Sequence, residues 1–246
     1  RTLLSCTTRK QSISMSELLT EVSESTLGGV LWDMDGTLLD SEKLWDIALR
    51  ELSLRLGGPM TEATRVAVIG ASSPFALATV FDALGLEKHP DAIAEAKDWM
   101  YTRVGDLFED GVTWRPGARD ALSTVRDGGL RSALVTNTER VLVDRALGML
   151  GREFFDHSVC GDEVPKGKPA ADPYLRGAHL LGLEPAQCLA IEDSPTGTAS
   201  ASAAGCAVLV VPCEVDVPAG PGRVFRESLV DLSIHDLHDV HSSAAR

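Results

Sequence analysis

The sequence predicts a doubly wound α/β fold: a parallel sheet with helices on both faces, interrupted by an inserted helical subdomain. Three observations carry this. Short, nearly continuous apolar runs recur along the chain, and such runs suit parallel strands buried on both faces. Helical patterns alternate with them. One stretch, from Ser41 to about Trp114, holds four helical patterns and no strand candidate, too long for an ordinary strand-to-helix connection.

The first apolar run, residues 28–32, leads straight into an acidic cluster and reads as a buried strand. Helical spacing follows at 44–56, 61–69, 74–84 and 91–107, punctuated by Gly57-Gly58-Pro59, Gly70-Ala71-Ser72-Ser73 and Gly85. Pro116 and Gly117 mark the return to the sheet. Strands are then expected at 130–135, 157–160, 188–191 and 206–211, with helices at 118–126, 140–150, 173–181 and 196–204. Residues 224–232 could add an edge strand, and a short frayed helix is expected at the end. The implied division is a tail over 1–27, an α/β core over 28–40 and 115–232, a helical insert over 41–114, and a C-terminal tail over 233–246.

At 246 residues the chain suits one large domain or a domain with an insert. Its 44% hydrophobic and 24% charged content is that of a globular protein and excludes dominant disorder. The formal net charge of −13 argues against nucleic acid as a partner, which would need a basic face, but leaves room for a phosphorylated small substrate in a locally positive pocket. The five cysteines, Cys6, Cys160, Cys188, Cys206 and Cys213, have no metal-ligand spacing and read as free thiols of a reducing cytoplasm. The apolar run around 207–211 is too short to span a bilayer, so no membrane partner is expected. Met15 is a candidate start, and residues 1–14 are expected to carry no function. Monomer and homodimer are equally compatible with the sequence.

Four polar clusters follow four of the expected strands. Asp33-Met34-Asp35-Gly36-Thr37 places two carboxylates two residues apart at a strand's C-terminal end, an oxygen-rich arrangement that suits Mg²⁺; taken alone it is equally an acidic turn. Val135-Thr136-Asn137-Thr138 offers a hydroxyl and backbone N–H groups to phosphoryl oxygens, or a plain helix cap at Asn137 or Thr138. Pro165-Lys166-Gly167-Lys168-Pro169 presents an ammonium on a constrained backbone, or only a solvated basic loop. Ile191-Glu192-Asp193-Ser194-Pro195 adds two carboxylates, of which Asp193 could merely cap the helix begun by Pro195, as could Ser194. In a doubly wound sheet all four edges converge on one crevice.

This ordered set resembles the haloacid-dehalogenase-like (HAD) hydrolase superfamily over about residues 28–215, and the insert resembles that family's α-helical cap. The resemblance implies that Asp33 is the nucleophile forming an aspartyl-phosphate and that Asp35 is the general acid and base, its main-chain carbonyl also binding Mg²⁺. It implies that Thr136, with Asn137 beside it, binds phosphoryl oxygens, and that Lys168 balances the crowded negative charge. Glu192 and Asp193 complete the metal set with Asp33 and Asp35. An acid at position 35 favours phosphoryl transfer over dehalogenation. The implied activity is thus a Mg²⁺-dependent phosphatase acting on a small phosphorylated metabolite. A sugar-phosphate mutase of the β-phosphoglucomutase type is the alternative, but its cap arginine is missing from Gly70-Ala71-Ser72-Ser73-Pro74, leaving Arg65 and Arg103 as candidate second phosphate grips. A non-catalytic binding protein of the same fold is the third reading. Asp40-Ser41 and Arg115-Pro116-Gly117 are the candidate hinges of a gating cap, and the 70–75 loop is expected to select the substrate.

His235, His238 and His241 recur every three residues and read as a solvated helix rather than a metal stripe. Trp32, Trp45, Trp99 and Trp114 read as packing, Phe154 and Phe155 as core closure, and Cys160 as a small buried hydrophobe.

Overall fold

The computed structural model describes residues 26–69 and 71–244. Cys6, Met15, most of the expected 1–27 tail and the Gly70 position of the substrate loop lie outside the described residues.

Six strands form one wholly parallel sheet: β1 (Gly29–Trp32), β2 (Arg131–Val135), β3 (His157–Val159), β4 (Cys188–Glu192), β5 (Ala207–Val210) and β6 (Arg223–Phe225). Their order is β3-β2-β1-β4-β5-β6. The chain winds outward from β1 to β3, returns to the other side of β1, and winds outward again. This doubly wound topology places a crevice at the strands' C-terminal edge beside β1. The strands alternate between two cores with the period of two that a pleated strand dictates. Val30, Trp32, Leu134, Leu189, Ile191 and Leu209 face one; Leu31, Ala133, Val135, Ala190, Val208 and Val210 face the other.

The second core is covered by α7 (Asp172–Leu180) and α8 (Pro195–Ala204). α8 is built almost wholly of Ala, Ser, Thr and Gly, which lets it lie close to the sheet. The first core is covered by α5 (Ala118–Asp127), α6 (Arg140–Leu150) and α9 (Ile234–Ala244). α5 shows why such helices form: Ala118, Ala121, Leu122 and Val125 are buried at i, i+3, i+4 and i+7, and polar residues fill the rest. α9 is not the solvated tail expected for 233–246. Leu237 is fully buried, and His241 is buried with Nε2 on the Ala186 carbonyl oxygen at 2.8 Å. The three histidines therefore share no solvated face: His235 and His238 are exposed, His241 is not.

Between β1 and β2 stand α1 (Glu42–Arg55), α2 (Glu62–Val68), α3 (Ser73–Ala83) and α4 (Pro90–Glu109). Thr61 caps α2 through Thr64 N–H at 3.1 Å, and Pro74 and Pro90 open α3 and α4, where a missing N–H costs nothing. The two segments joining these helices to the sheet are paired: Asp40 N–H donates to Thr113 O at 2.8 Å and Arg115 N–H to Leu38 O at 2.9 Å. Gly117 has φ +80°, and a Cβ there would run into the backbone of Leu229 and Val230. No helix among the described residues is long and apolar enough to cross a membrane.

Candidate active site

The site stands on the C-terminal ends of β1, β2 and β4. Asp33 follows β1 directly and extends the ladder, its N–H donating to Ile191 O at 3.0 Å. Gly36 turns the chain back at φ +84°, and a Cβ there would overlap the Asp193 carboxylate, so only glycine lets these segments meet. Thr136 follows β2, its N–H donating to Val159 O at 3.0 Å. Glu192 ends β4 and Asp193 follows it. Ser194 caps α8 by accepting from Gly197 N–H at 3.0 Å, which assigns the capping role to Ser194 and frees Asp193.

Lys168 lies at the centre. Its Nζ donates to Asp33 Oδ1 and to Glu192 Oε1, each at 2.6 Å, and all three residues are buried. Asp33, Glu192 and Asp193 offer oxygens that all lie within 4.8 Å of one another. Three carboxylates face one ammonium, and the pKa values record the imbalance. Burial pushes the Asp33 carboxyl up to about 7, opposed by Lys168 and reinforced by Glu192 and Asp35. Burial, with Asp33 and Glu192 nearby, likewise holds Asp193 well above the usual carboxylate range. Burial disfavours the Lys168 charge, yet Asp33 and Glu192 outweigh it and keep its pKa above the ordinary lysine value. A crowded, buried, all-oxygen donor set short of positive charge fits a hard divalent cation.

The Asp35 carboxylate is turned away from this trio. It accepts from Ser41 Oγ at 2.6 Å, Thr138 Oγ1 at 2.7 Å, Trp45 Nε1 at 3.1 Å and Thr136 Oγ1 at 3.4 Å. Its side chain is thus absent from the close acidic cluster, and the metal contact expected of Asp35 is that of its main-chain carbonyl. Asn137 lines the cavity over the cluster, and its side chain is also engaged with the Lys168 backbone. Its amide accepts from Lys168 N–H at 2.7 Å and donates to Lys168 O at 3.2 Å, which fixes the lysine's backbone. Neither Asn137 nor Thr138 caps α6; the N-cap residue is Glu139. Arg65 and Arg103 do not reach the crevice. Arg65 pairs with Asp46 at 3.1 Å, and Arg103 grips Glu51 at 2.6 and 3.0 Å.

Two site residues escaped the sequence reading. Tyr174, fully buried on α7, donates its hydroxyl to Glu192 Oε1 at 2.6 Å and lies under Lys168, whose Nζ is 5.1 Å from the ring centroid. Trp45, expected only to pack, also reaches Asp35 from α1. A tyrosine inside an amphipathic helix and a tryptophan in an insert give no sequence signal of such contacts. A cavity of about 90 Å³ lies over the cluster, with Asp33, Thr136 and Lys168 below and Trp45, Ser72 and Met100 above. At the ~30 Å³ a water occupies in the liquid it holds about three, room for a phosphoryl group.

A family model described as haloacid dehalogenase-like hydrolase matches residues 27–205. The chain belongs to this family of hydrolases. Hexitol phosphatase A of Escherichia coli is 32% identical over 215 residues, covering 86% of this chain and 92% of that protein. A phosphoglycolate phosphatase of Chromobacterium violaceum is 32% identical over 187 residues, covering 74% and 83%. The crystal structure of CbbY from Rhodobacter sphaeroides in complex with phosphate superposes with a TM-score of 0.75 at 26% identity, covering 86% of this chain and 99% of that one.

Proposed function

We propose that the protein is a Mg²⁺-dependent phosphatase that hydrolyses a small phosphate monoester through an aspartyl-phosphate on Asp33. The observation that carries this reading is the division of labour between two nearby carboxylates. Asp33 is pinned by Lys168 inside the cation-deficient trio, while Asp35 lies among hydroxyl and indole donors at the crevice wall. Two carboxylates in contrasting surroundings suit a nucleophile and a proton carrier.

In the first step an Asp33 carboxylate oxygen bonds to phosphorus as the bond to the leaving oxygen breaks, and Asp35 gives that oxygen a proton. In the second, Asp35 takes a proton from water, whose oxygen attacks phosphorus; phosphate leaves and the Asp33 carboxylate is restored. Asp33, Glu192 and Asp193 would hold Mg²⁺, with the Asp35 main-chain carbonyl as a further donor. When bound, the ion supplies charge neutralisation to the phosphoryl oxygens and to the carboxylates crowded beneath them. Lys168 and the Thr136 hydroxyl orient those oxygens, and Asn137 keeps Lys168 in place.

The 41–114 helices form the cap of the site. They meet the core through Lys97–Glu139 at 2.5 Å, Arg145–Glu109 at 3.5 Å and Arg65–Glu214 at 3.7 Å. These half-exposed pairs are worth little individually, which suits a cap that must part from the core each turnover, with Asp40-Ser41 and Arg115-Pro116-Gly117 as hinges. A reducing, cytoplasmic setting is consistent with four described cysteines that are all unpaired.

The test is phosphate release from p-nitrophenyl phosphate in Mg²⁺ and in EDTA. Turnover should require the metal and fall at least ~10⁴-fold in Asp33→Asn, as loss of a nucleophile demands. Turnover that survives either change would defeat the assignment.

A further inference from the structure

A second cavity, about 210 Å³, adjoins the phosphoryl site at the seam between the helical insert and the core. It shares Ser72, Ser73, Asn137 and Lys168 with the first, so the two are neighbours on either side of these residues. By the same measure per water it has room for several hydroxylated carbons. The remaining polar groups on its wall are Tyr101 on the α4 side and Glu139 and Asp162 on the core side.

Ser73 at the start of α3, Tyr101 on α4 and Glu139 on the core meet at this seam as walls of one cavity. Lys97 on α4 pairs with Glu139 at 2.5 Å and does not line the cavity. Glu139 is thereby held on the wall of the cavity that adjoins the phosphoryl site. Asp162 adds a second carboxylate and accepts from Arg140 N–H at 3.0 Å. Among the described residues the one cation lining either cavity is Lys168, and its ammonium is committed to Asp33 and Glu192.

We infer that this cavity is a subsite for an uncharged, hydroxyl-bearing leaving group, and that Glu139 is the specificity residue that turns away substrates carrying a second anionic group. The inference rests on the phosphatase reading given above. Hydroxyl groups can donate to Glu139 and Asp162 and accept from Ser73 and Asn137, whereas a second carboxylate or phosphate can only accept and would face two carboxylates unpaired. The same surroundings leave a bisphosphate without a second grip, which separates this chain's chemistry from that of a mutase.

The test compares kcat/KM for sorbitol 6-phosphate, 2-phosphoglycolate and glucose 1,6-bisphosphate at low ionic strength, with p-nitrophenyl phosphate alongside. The proteins are the full chain, Glu139→Gln and Asp162→Asn. The measured quantity is the ratio of anionic to neutral substrate within one preparation, which does not depend on how much of a variant is folded. Wild type should favour sorbitol 6-phosphate. The phosphoglycolate-to-sorbitol-phosphate ratio should rise about tenfold in Glu139→Gln, as expected for a unit charge removed a few ångströms away at a partly wet seam, and less in Asp162→Asn. Ratios within twofold of wild type in both variants, with p-nitrophenyl phosphate still turned over, would overturn the inference alone. So would a wild type that prefers either anionic substrate, as it would if Lys97 left Glu139 to meet the second charge. Turnover of none of the four phosphates would remove the phosphatase reading, and this inference with it.

Discussion

Replacing Lys168 with methionine removes the one ammonium inside the acidic trio while nearly preserving side-chain volume. Lys168 is 7% exposed and bonded at 2.6 Å to both Asp33 and Glu192. Without it, three carboxylates within 4.8 Å of one another are left uncompensated. Breaking a buried ion pair from one side costs about 3–5 kcal/mol, and the metal-free variant should lose that much at pH 8. The loss should depend on pH. The Asp33 carboxyl already sits at about 7 in the folded protein against 3.8 as its ordinary value, so the folded state holds a proton that the unfolded state has released. The Asp33 contribution to stability therefore declines as pH rises from about 4 through about 7. Loss of Lys168 pushes that carboxyl higher and steepens the decline, so the variant's deficit should shrink as pH falls. Mg²⁺ at ~100 times its Kd should return about 2.7 kcal/mol. Urea unfolding of both proteins at pH 5.5 and 8, in EDTA and in Mg²⁺, measures all of this. A deficit below about 1 kcal/mol at pH 8, or one that does not change with pH, would refute the picture of a cation-deficient site.

Two other substitutions probe its surroundings. Tyr174→Phe deletes one of the donors to Glu192, and a partner behind a metal-binding carboxylate is typically worth ~10–100-fold in affinity; Mg²⁺ titration by calorimetry should show a Kd raised about tenfold or more, and a Kd within twofold of wild type would deny Tyr174 that role. Leu237→Ala tests the C-terminal helix: a fully buried leucine should cost ~2–5 kcal/mol and lower Tm by several degrees, and a loss under about 1 kcal/mol would mean that α9 contributes little to the core.

The fold was legible because its signals are local. Apolar runs of four to six residues gave β1, β2, β4 and β5, and alternation with helical periods gave the winding. The edge strand expected somewhere in 224–232 is the short Arg223–Phe225, where weaker burial leaves a weaker pattern. The single-turn helices Arg152–Phe154, Gly161–Glu163 and Pro185–Gln187 were not anticipated, since three residues carry no period. α9 was read as a tail because its burial depends on contacts with Ala186 and β5, far away in sequence. The residues of the site were legible by type and order, but not by direction. Asp33 and Asp35 stand two apart, and only the turn at Gly36 decides that one carboxylate joins Glu192 and Asp193 while the other meets Ser41, Trp45 and Thr138. Glu139 carries no sequence signal because its partner is Lys97, which the fold brings to it from the insert.

The most direct test of the central claim is to catch the phosphoryl group on Asp33. An aryl phosphate has a leaving group good enough to depart without a strong acid, so Asp35→Asn should still allow the first step while stalling the attack of water. Acid-quenching that variant after mixing with p-nitrophenyl phosphate and Mg²⁺, followed by peptide mass spectrometry, should find one phosphoryl group on the peptide containing Asp33. None should appear in Asp33→Asn. A phosphoryl group on another residue, or burst-free turnover with no labelled peptide, would contradict Asp33 as the nucleophile.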